Sequence, residues 1–442
     1  MDTPQTVDLC IDARHVVPMD RPGLVLDDHV VAVDRGRILE LLPSKAARTR
    51  YAPRAQVSLP SHALLPGLVN AHTHAAMALM RGLADDLPLM EWLTRHIWPA
   101  EAQHVTPQLV HDGTLLACAE MIRGGITCFN DMYFFPEEAG RAALAAGMRA
   151  ALGMICIEFP TAYASDAQDY LHKGLAMRDA LKHESLLSFC MAPHAPYTVH
   201  DASFERIVTY AEELQVPIHL HLHETRHEID ESVQRFGVRP LERVRRMGVV
   251  GPGLVAVHAV HLDDAEVELL AACGSHVAHC PSSNLKLGSG IAPLARLLGA
   301  GVNVALGTDS AASNNRLDLL QEARTAALLA KGSTREPTAV PAEQALHMST
   351  LAGARALGLE QAIGSITTGK WADLVAVNLD AIELSPLYHP ISHLIYALGR
   401  ENVSDVWVAG RRLLDNRRLT TLDETELAAK AAFWQKRMAA QA

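Results

Sequence analysis

Eight short apolar runs, separated by longer stretches of helical pattern, fill the middle of this 442-residue chain and constrain its fold more than any other feature. They are ALLPGLVNAHTH, GITCFNDM, RAALGMICI, LLSFCMAPHAPY, VPIHLHLHE, GLVAVHAVHL, SHVAHCPSSN and VNVALGTDS. The runs show no strict polar–apolar alternation, as expected of strands covered on both faces. Segments such as 107–123, 201–214 and 317–331 lie between or after them and read as helices. Eight such units predict an α/β fold, a (β/α)8 TIM-like barrel with a parallel sheet.

The two ends of the chain read differently. HVVAVDRGRILELLP has β-branched runs broken by a DRG turn, and GSITTGKWADLVAVNLD and VSDVWVAGRRLLDNR return to that style. The expected organisation is a small β-sandwich made from both termini, residues 1–63 and 363–442 with a C-terminal helix, flanking a barrel at 64–362.

Composition narrows the partners. Hydrophobic residues are 49% of the chain, enough for a large core, and the net charge is −11 with no basic stripe, which argues against nucleic acid. No apolar stretch reaches the ~18 residues of a membrane span. Seven widely spaced cysteines without a C-x-x-C suit free thiols in a reducing cytoplasm. A small-molecule substrate is expected, and a homo-oligomer is left open.

Histidine is the outlier, with 23 copies, many inside apolar runs. His72 and His74 end the first run and His194 the fourth. His219, His221, His223 and Glu224 end the fifth. His258 and His261 lie in the sixth, His279 in the seventh, and Asp309 ends the eighth. In a barrel these ends form the catalytic face. Each has a bland reading: a core histidine bonded to a carbonyl, or an aspartate capping a helix. The bland reading must also place polar groups at the same end of five or six strands independently. Period two puts His219, His221 and His223 on one face but spreads them along it, about 6.6 Å per pair of residues, so they cannot all hold one ion.

H-x-H on strand one, H-x-x-E on strand five, histidine on strand six and aspartate on strand eight resemble the amidohydrolase superfamily over nearly the whole chain. PGLVNAHTH, APHAPYT, HLHETRHE, CPSSNLKLGSG and LGTDSAASNN are most similar to its deaminases of S-adenosylhomocysteine and 5′-methylthioadenosine. The resemblance implies one divalent ion, zinc with iron or manganese as alternatives, on His72, His74, His221 and Asp309. Of the strand-five histidines only His221 stands three before Glu224; His219 and His223 are expected to be structural. Strand four lacks the lysine that bridges two metals in many relatives, so a single ion is expected.

The implied chemistry is hydrolytic deamination at the 6-amino group of adenine nucleosides. Three imidazoles and a carboxylate leave a coordination position for water on the ion, which lowers the pKa of that water. Glu224 would shuttle protons to the ring nitrogen and the leaving amine, with His258 and Asp309 deprotonating the water. The resemblance alone implies that Glu101 accepts the ribose hydroxyls, that His194 contacts substrate and that Arg149 lies near its tail. Trp92 and Trp98 either wall the pocket or pack. The rival readings are another base (guanine, cytosine or pterin), an s-triazine chlorohydrolase on the same fold, or a non-catalytic metal-binding barrel.

Overall fold

The computed structural model describes residues 4–439. The first strands are β1 (Gln5–Val16), β2 (Leu26–Asp34), β3 (Arg37–Pro43) and β4 (Tyr51–Pro66). β1 pairs antiparallel with β2 but parallel with β4, and a parallel pair needs a crossover; the β2–β3 hairpin and helix Ser44–Arg50 supply it. The chain returns late as β13 (Leu374–Asn378), β14 (Val403–Val408), β15 (Arg411–Asp415) and β16 (Arg418–Leu419).

β13 lies antiparallel on β4, so both chain ends join one eight-stranded sheet, ordered β16-β15-β14-β13-β4-β1-β2-β3. Ile11, Val31, Ile38, Leu64, Leu374 and Trp407 share one apolar core although they come from both halves of that order. The sheet therefore folds over on itself. The hairpin tip is pinned where the Ala372 N–H donates to the Gly36 carbonyl at 2.9 Å.

Between these halves stand β5 (Leu68–Thr73), β6 (Ile126–Asp131), β7 (Arg149–Cys156), β8 (Leu187–Pro193), β9 (Ile218–Leu222), β10 (Leu254–His258), β11 (His276–His279) and β12 (Asn303–Leu306). Neighbours in sequence are neighbours in space, and every pairing is parallel. β5, β6, β7, β9 and β10 are buried along their whole length, which is why their sequences do not alternate. Just past β12, polar groups bridge to β5. Asn70 donates to the Thr308 hydroxyl at 2.8 Å and accepts from its N–H at 3.0 Å, and the Asp309 N–H donates to the His72 carbonyl at 3.1 Å.

The helices at Pro107–Arg123 and Asp201–Leu214 form where the pattern places them. The third expected helix begins later, at Leu319, because Asp318 is its N-cap and accepts from the Gln321 N–H at 3.1 Å. Gly113 is a poor helix residue, yet a Cβ there would stand 2.3 Å from the Ala76 carbonyl oxygen. Its absence lets the helix seat against the turn that follows His74. The C-terminal helix Glu424–Ala439 is anchored on this same barrel helix, with Lys430 and Trp434 bonding Asp112 at 2.8 and 3.0 Å.

All seven cysteines are free. No described helix is long and apolar enough to cross a membrane.

Candidate active site

The polar groups gather where the barrel strands end, and the backbone there is unusual. His223 after β9, His258 and Ala259 at the end of β10, and Asp309 after β12 all have positive φ, between 49° and 71°. Such residues cost on the order of 1–3 kcal/mol each and persist only where the surroundings impose them. The turns aim Glu224, His258 and Asp309 into a common space.

In that space the Nε2 atoms of His72 and His74 each stand 3.4 Å from Asp309 Oδ1, and His221 Nε2 stands 3.3 Å from His72 Nε2. The rings of His74 and His221 are stacked, 5.3 Å between centroids, as are those of His221 and His258 at 5.4 Å. Two sets of donor atoms, His72/His74/Asp309 and His72/His221/His258, each lie within 4.8 Å of one another and share His72.

The donor chemistry suits a divalent cation. His74 Nδ1 donates to the Met132 carbonyl and His221 Nδ1 to the His194 carbonyl. A carbonyl can only accept, so these bonds fix the protonated nitrogen and turn the Nε2 lone pair inward. Burial drives the His72 imidazole down to about 4, with the neighbouring imidazoles adding to the effect and Asp309 opposing it. The ring is thus neutral and able to ligate. Burial opposes the charge on Asp309, but the imidazoles around it hold its carboxyl well below the usual range. Its oxygens also accept from the Ser283 and Ser313 hydroxyls at 2.6 and 2.9 Å and from the Ser310 N–H at 2.7 Å.

Glu224 stands beside the cluster, not among its closest members. One of its oxygens lies 3.7 Å from His258 Nε2 and the other 3.5 Å from the Ser289 hydroxyl. Burial raises its carboxyl above the ordinary range. The next helix, Arg226–Phe236, carries buried Glu228 in its first turn, whose oxygens accept from the His223 and Glu224 N–H groups at 3.0 and 2.8 Å and hold the strand-end turn in place.

A cavity of about 310 Å³ opens on the cluster. His74, His194, His221, Glu224, His258 and Asp309 line one pole. His194 Nδ1 is engaged with the Thr198 hydroxyl at 3.0 Å, and burial, then the nearby His74 and His72, push its ring down to about 3. Glu101, on helix Trp98–His104, lines the cavity and accepts from the Tyr133 hydroxyl at 2.8 Å. Burial lifts its carboxyl to about 7 against the effect of that bond. Trp92 and Trp98 both face the cavity, with Leu89, Leu93, Ile157 and Phe159 completing an apolar wall. Among the described residues, no lysine or arginine lines it.

Arg149 requires a correction. It opens β7, at the end of the strand remote from the site, and its guanidinium grips Asp373 at 2.9 and 3.2 Å. The pair is buried and joins the barrel to the terminal sheet. Arg149 is absent from the cavity wall, so it cannot contact a substrate tail there.

The strand-five histidines separate clearly. His223 Nε2 accepts from the Leu241 N–H at 2.9 Å and has a structural role. His219 does not simply pack: its Nε2 lies 2.9 Å from His72 Nδ1. His279 is buried in β11 with its Nδ1 unpartnered. Tyr133, Glu228, Ser283, Asn284 and Ser313 gain contacts with the site that the sequence reading did not assign. The seventh run, with its CPSSN ending, was the available signal for Ser283 and Asn284.

Fold and site together define a barrel hydrolase of the kind that binds a divalent metal, and the chain belongs to the amidohydrolase family, whose model matches residues 63–413. Among its relatives, a 5-methylthioadenosine/S-adenosylhomocysteine deaminase of Teredinibacter turnerae is 45% identical over 441 residues, covering 100% of both chains. One of the same name from Saccharophagus degradans is 44% identical, covering 98% of this chain and 97% of its own. A crystal structure of an adenosine deaminase from Xanthomonas campestris with bound zinc superposes with a TM-score of 0.98 at 50% identity, over 99% of this chain and 100% of its own.

Proposed function

We propose that this chain is a metal-dependent deaminase that hydrolyses the 6-amino group of adenine nucleosides, releasing ammonia and the inosine counterpart. Its substrates are 5′-methylthioadenosine, S-adenosylhomocysteine and adenosine. The observation that carries this reading is the cavity itself, with an imidazole–carboxylate cluster and Glu224 at one pole, Glu101 on its wall, and an apolar lining without cations. The names of the relatives support it.

His72, His74, His221 and Asp309 would hold one divalent ion of the zinc class, which supplies an activated water for attack on the carbon bearing the amine. Everything else falls to the chain's own groups. The Glu224 carboxyl, raised by burial, gives its proton to the ring nitrogen beside that carbon; it then takes up, through His258 3.7 Å away, the proton released by the attacking water and passes it to the leaving amine. His258 Nδ1 donates to Asn284 Oδ1 at 2.8 Å, which leaves its Nε2 free to accept a proton from the attacking water, together with Asp309. His194 presents its Nε2 to the base. Glu101 accepts the two ribose hydroxyls, and the tryptophan wall receives a neutral 5′ group.

Steady-state kinetics on six compounds tests this. The methylthio and homocysteinyl nucleosides should lead and adenosine should follow. AMP should fail for want of a cation to meet its phosphate. Adenine and 2′-deoxyadenosine should be poor, because a site built for a hydroxyl is left with an unpaired carboxylate. If AMP or free adenine has the highest kcat/KM, the substrate assignment fails.

A further inference from the structure

Four imidazoles surround the cluster, and each has its Nδ1 engaged. His74 and His221 bond backbone carbonyls, and His258 bonds the side-chain oxygen of Asn284. An acceptor-only partner leaves one choice: Nδ1 carries the proton and Nε2 is free. His72 is different, because its partner is another imidazole, His219 Nε2, at 2.9 Å. That pair can be satisfied either way. With the proton on His72 Nδ1, its Nε2 lone pair faces the cluster. With the proton on His219 Nε2, His72 carries its hydrogen on Nε2, directed at Asp309 3.4 Å away, and cannot ligate.

His72 is also the one residue common to both sets of converging donor atoms. Both rings are fully buried, 4.9 Å apart edge to face, so no described water-facing route offers His72 another acceptor. The only other ring atom of His219 that could bond, Nδ1, has no partner among the described residues. A histidine buried with one nitrogen unsatisfied is an expensive core filler compared with leucine. Among the described residues, the ring's one hydrogen bond is the one to His72.

We propose that His219 is a positioning residue. Its Nε2 accepts the His72 Nδ1 proton and so fixes the tautomer in which His72 can hold the metal. The proposal rests on the metal site proposed above. It differs from a packing role in predicting that an acceptor, and not ring volume, is what the position needs. His219→Leu keeps the bulk and removes the acceptor, whereas His219→Gln retains an acceptor at the side-chain tip.

The test is zinc affinity by competition with a chromophoric chelator, read without any turnover, on parent, His219→Leu and His219→Gln, with folding of each metal-free protein checked by circular dichroism. His219→Leu should bind zinc about 10- to 100-fold more weakly, the usual cost of losing an outer partner of a ligating histidine. His219→Gln should recover most of that loss. Equal affinity in parent and His219→Leu, or an equal loss in both variants, overturns the proposal. If His219→Leu does not fold, the cobalt-loaded parent and His219→Gln decide. Each should show three exchangeable, paramagnetically shifted N–H protons, from His72, His74 and His221, and only two in the parent overturns it. A parent that binds zinc no better than His221→Ala would instead sink the metal-site reading itself.

Discussion

Two carboxyls of the cavity have been pushed upward by burial, and their tasks differ. In the proposed reaction Glu224 carries a proton, so Glu224→Gln should keep its metal and its fold yet lose kcat by at least about 10²-fold. Near-normal turnover with metal retained would remove it from the mechanism. In the same proposal Glu101 accepts the ribose hydroxyls, and burial lifts its carboxyl to about 7. For ribosides, kcat/KM should climb as pH rises through 7, and a pH profile of Glu101→Gln should lack that limb. Stability has the opposite sign. A carboxyl whose folded pKa lies above its unfolded value binds protons more tightly when folded, so its contribution is lost as pH rises from about 4.5 to 7. Melts of Glu101→Gln and parent should therefore diverge in favour of the variant between pH 5 and 8. Arg149 belongs to stability: Arg149→Met leaves Asp373 buried and uncompensated, at a cost of about 3–5 kcal/mol, with KM for methylthioadenosine unchanged. The sequence context AGMRAALG pointed that way, since Arg149 opens its apolar run while the polar groups of the other runs close theirs.

At the scale of elements, the strands were legible because their apolar runs end in chemistry-bearing residues, and the helices because their caps and periods are local. What one strand shows another was not legible. His219 meets His72 because of the stagger between β9 and β5, which no spacing within either strand encodes. The same holds for Glu228, which reaches back to the turn before its helix. Gly307 shows how tightly these elements abut, since a Cβ there would stand 2.8 Å from the His72 Cβ and 3.0 Å from the Cys280 sulfur. The His72 Cβ cannot give way without moving its strand. Gly307→Ala should therefore cost about 1–3 kcal/mol, the range for overpacking, and also weaken zinc binding by displacing His72. A variant that melts like the parent and holds zinc as tightly would show that the strand ends can yield.

The whole barrel has a seam between its first and last strands, and the proposed metal ligands straddle it. His72 and His74 come from β5 and its end, Asp309 from the residues after β12, and His221 from β9 on the far arc. Without an ion, the described polar links at the mouth of this seam include the bonds from Asn70 to Thr308, from Asp309 to the His72 carbonyl, and from Thr73 to the Asp309 carbonyl at 3.1 Å, beside the 3.4 Å approaches of His72 and His74 to Asp309. An ion shared by His72, His74 and Asp309 would add a crosslink at that point, and binding only the folded state stabilises it by about 2.7 kcal/mol at a hundredfold excess over Kd. A crosslink at a seam should act locally first. Chelation should abolish activity, lower the melting temperature, and speed amide hydrogen exchange in β5 and β12 well before β7 and β8, which pair across seven registered positions. Titrating zinc back should restore all three readouts together at one equivalent per chain. Uniform exchange acceleration around the barrel would mean that the ion does not hold the seam, and full recovery only at two equivalents would mean that a second ion shares the site.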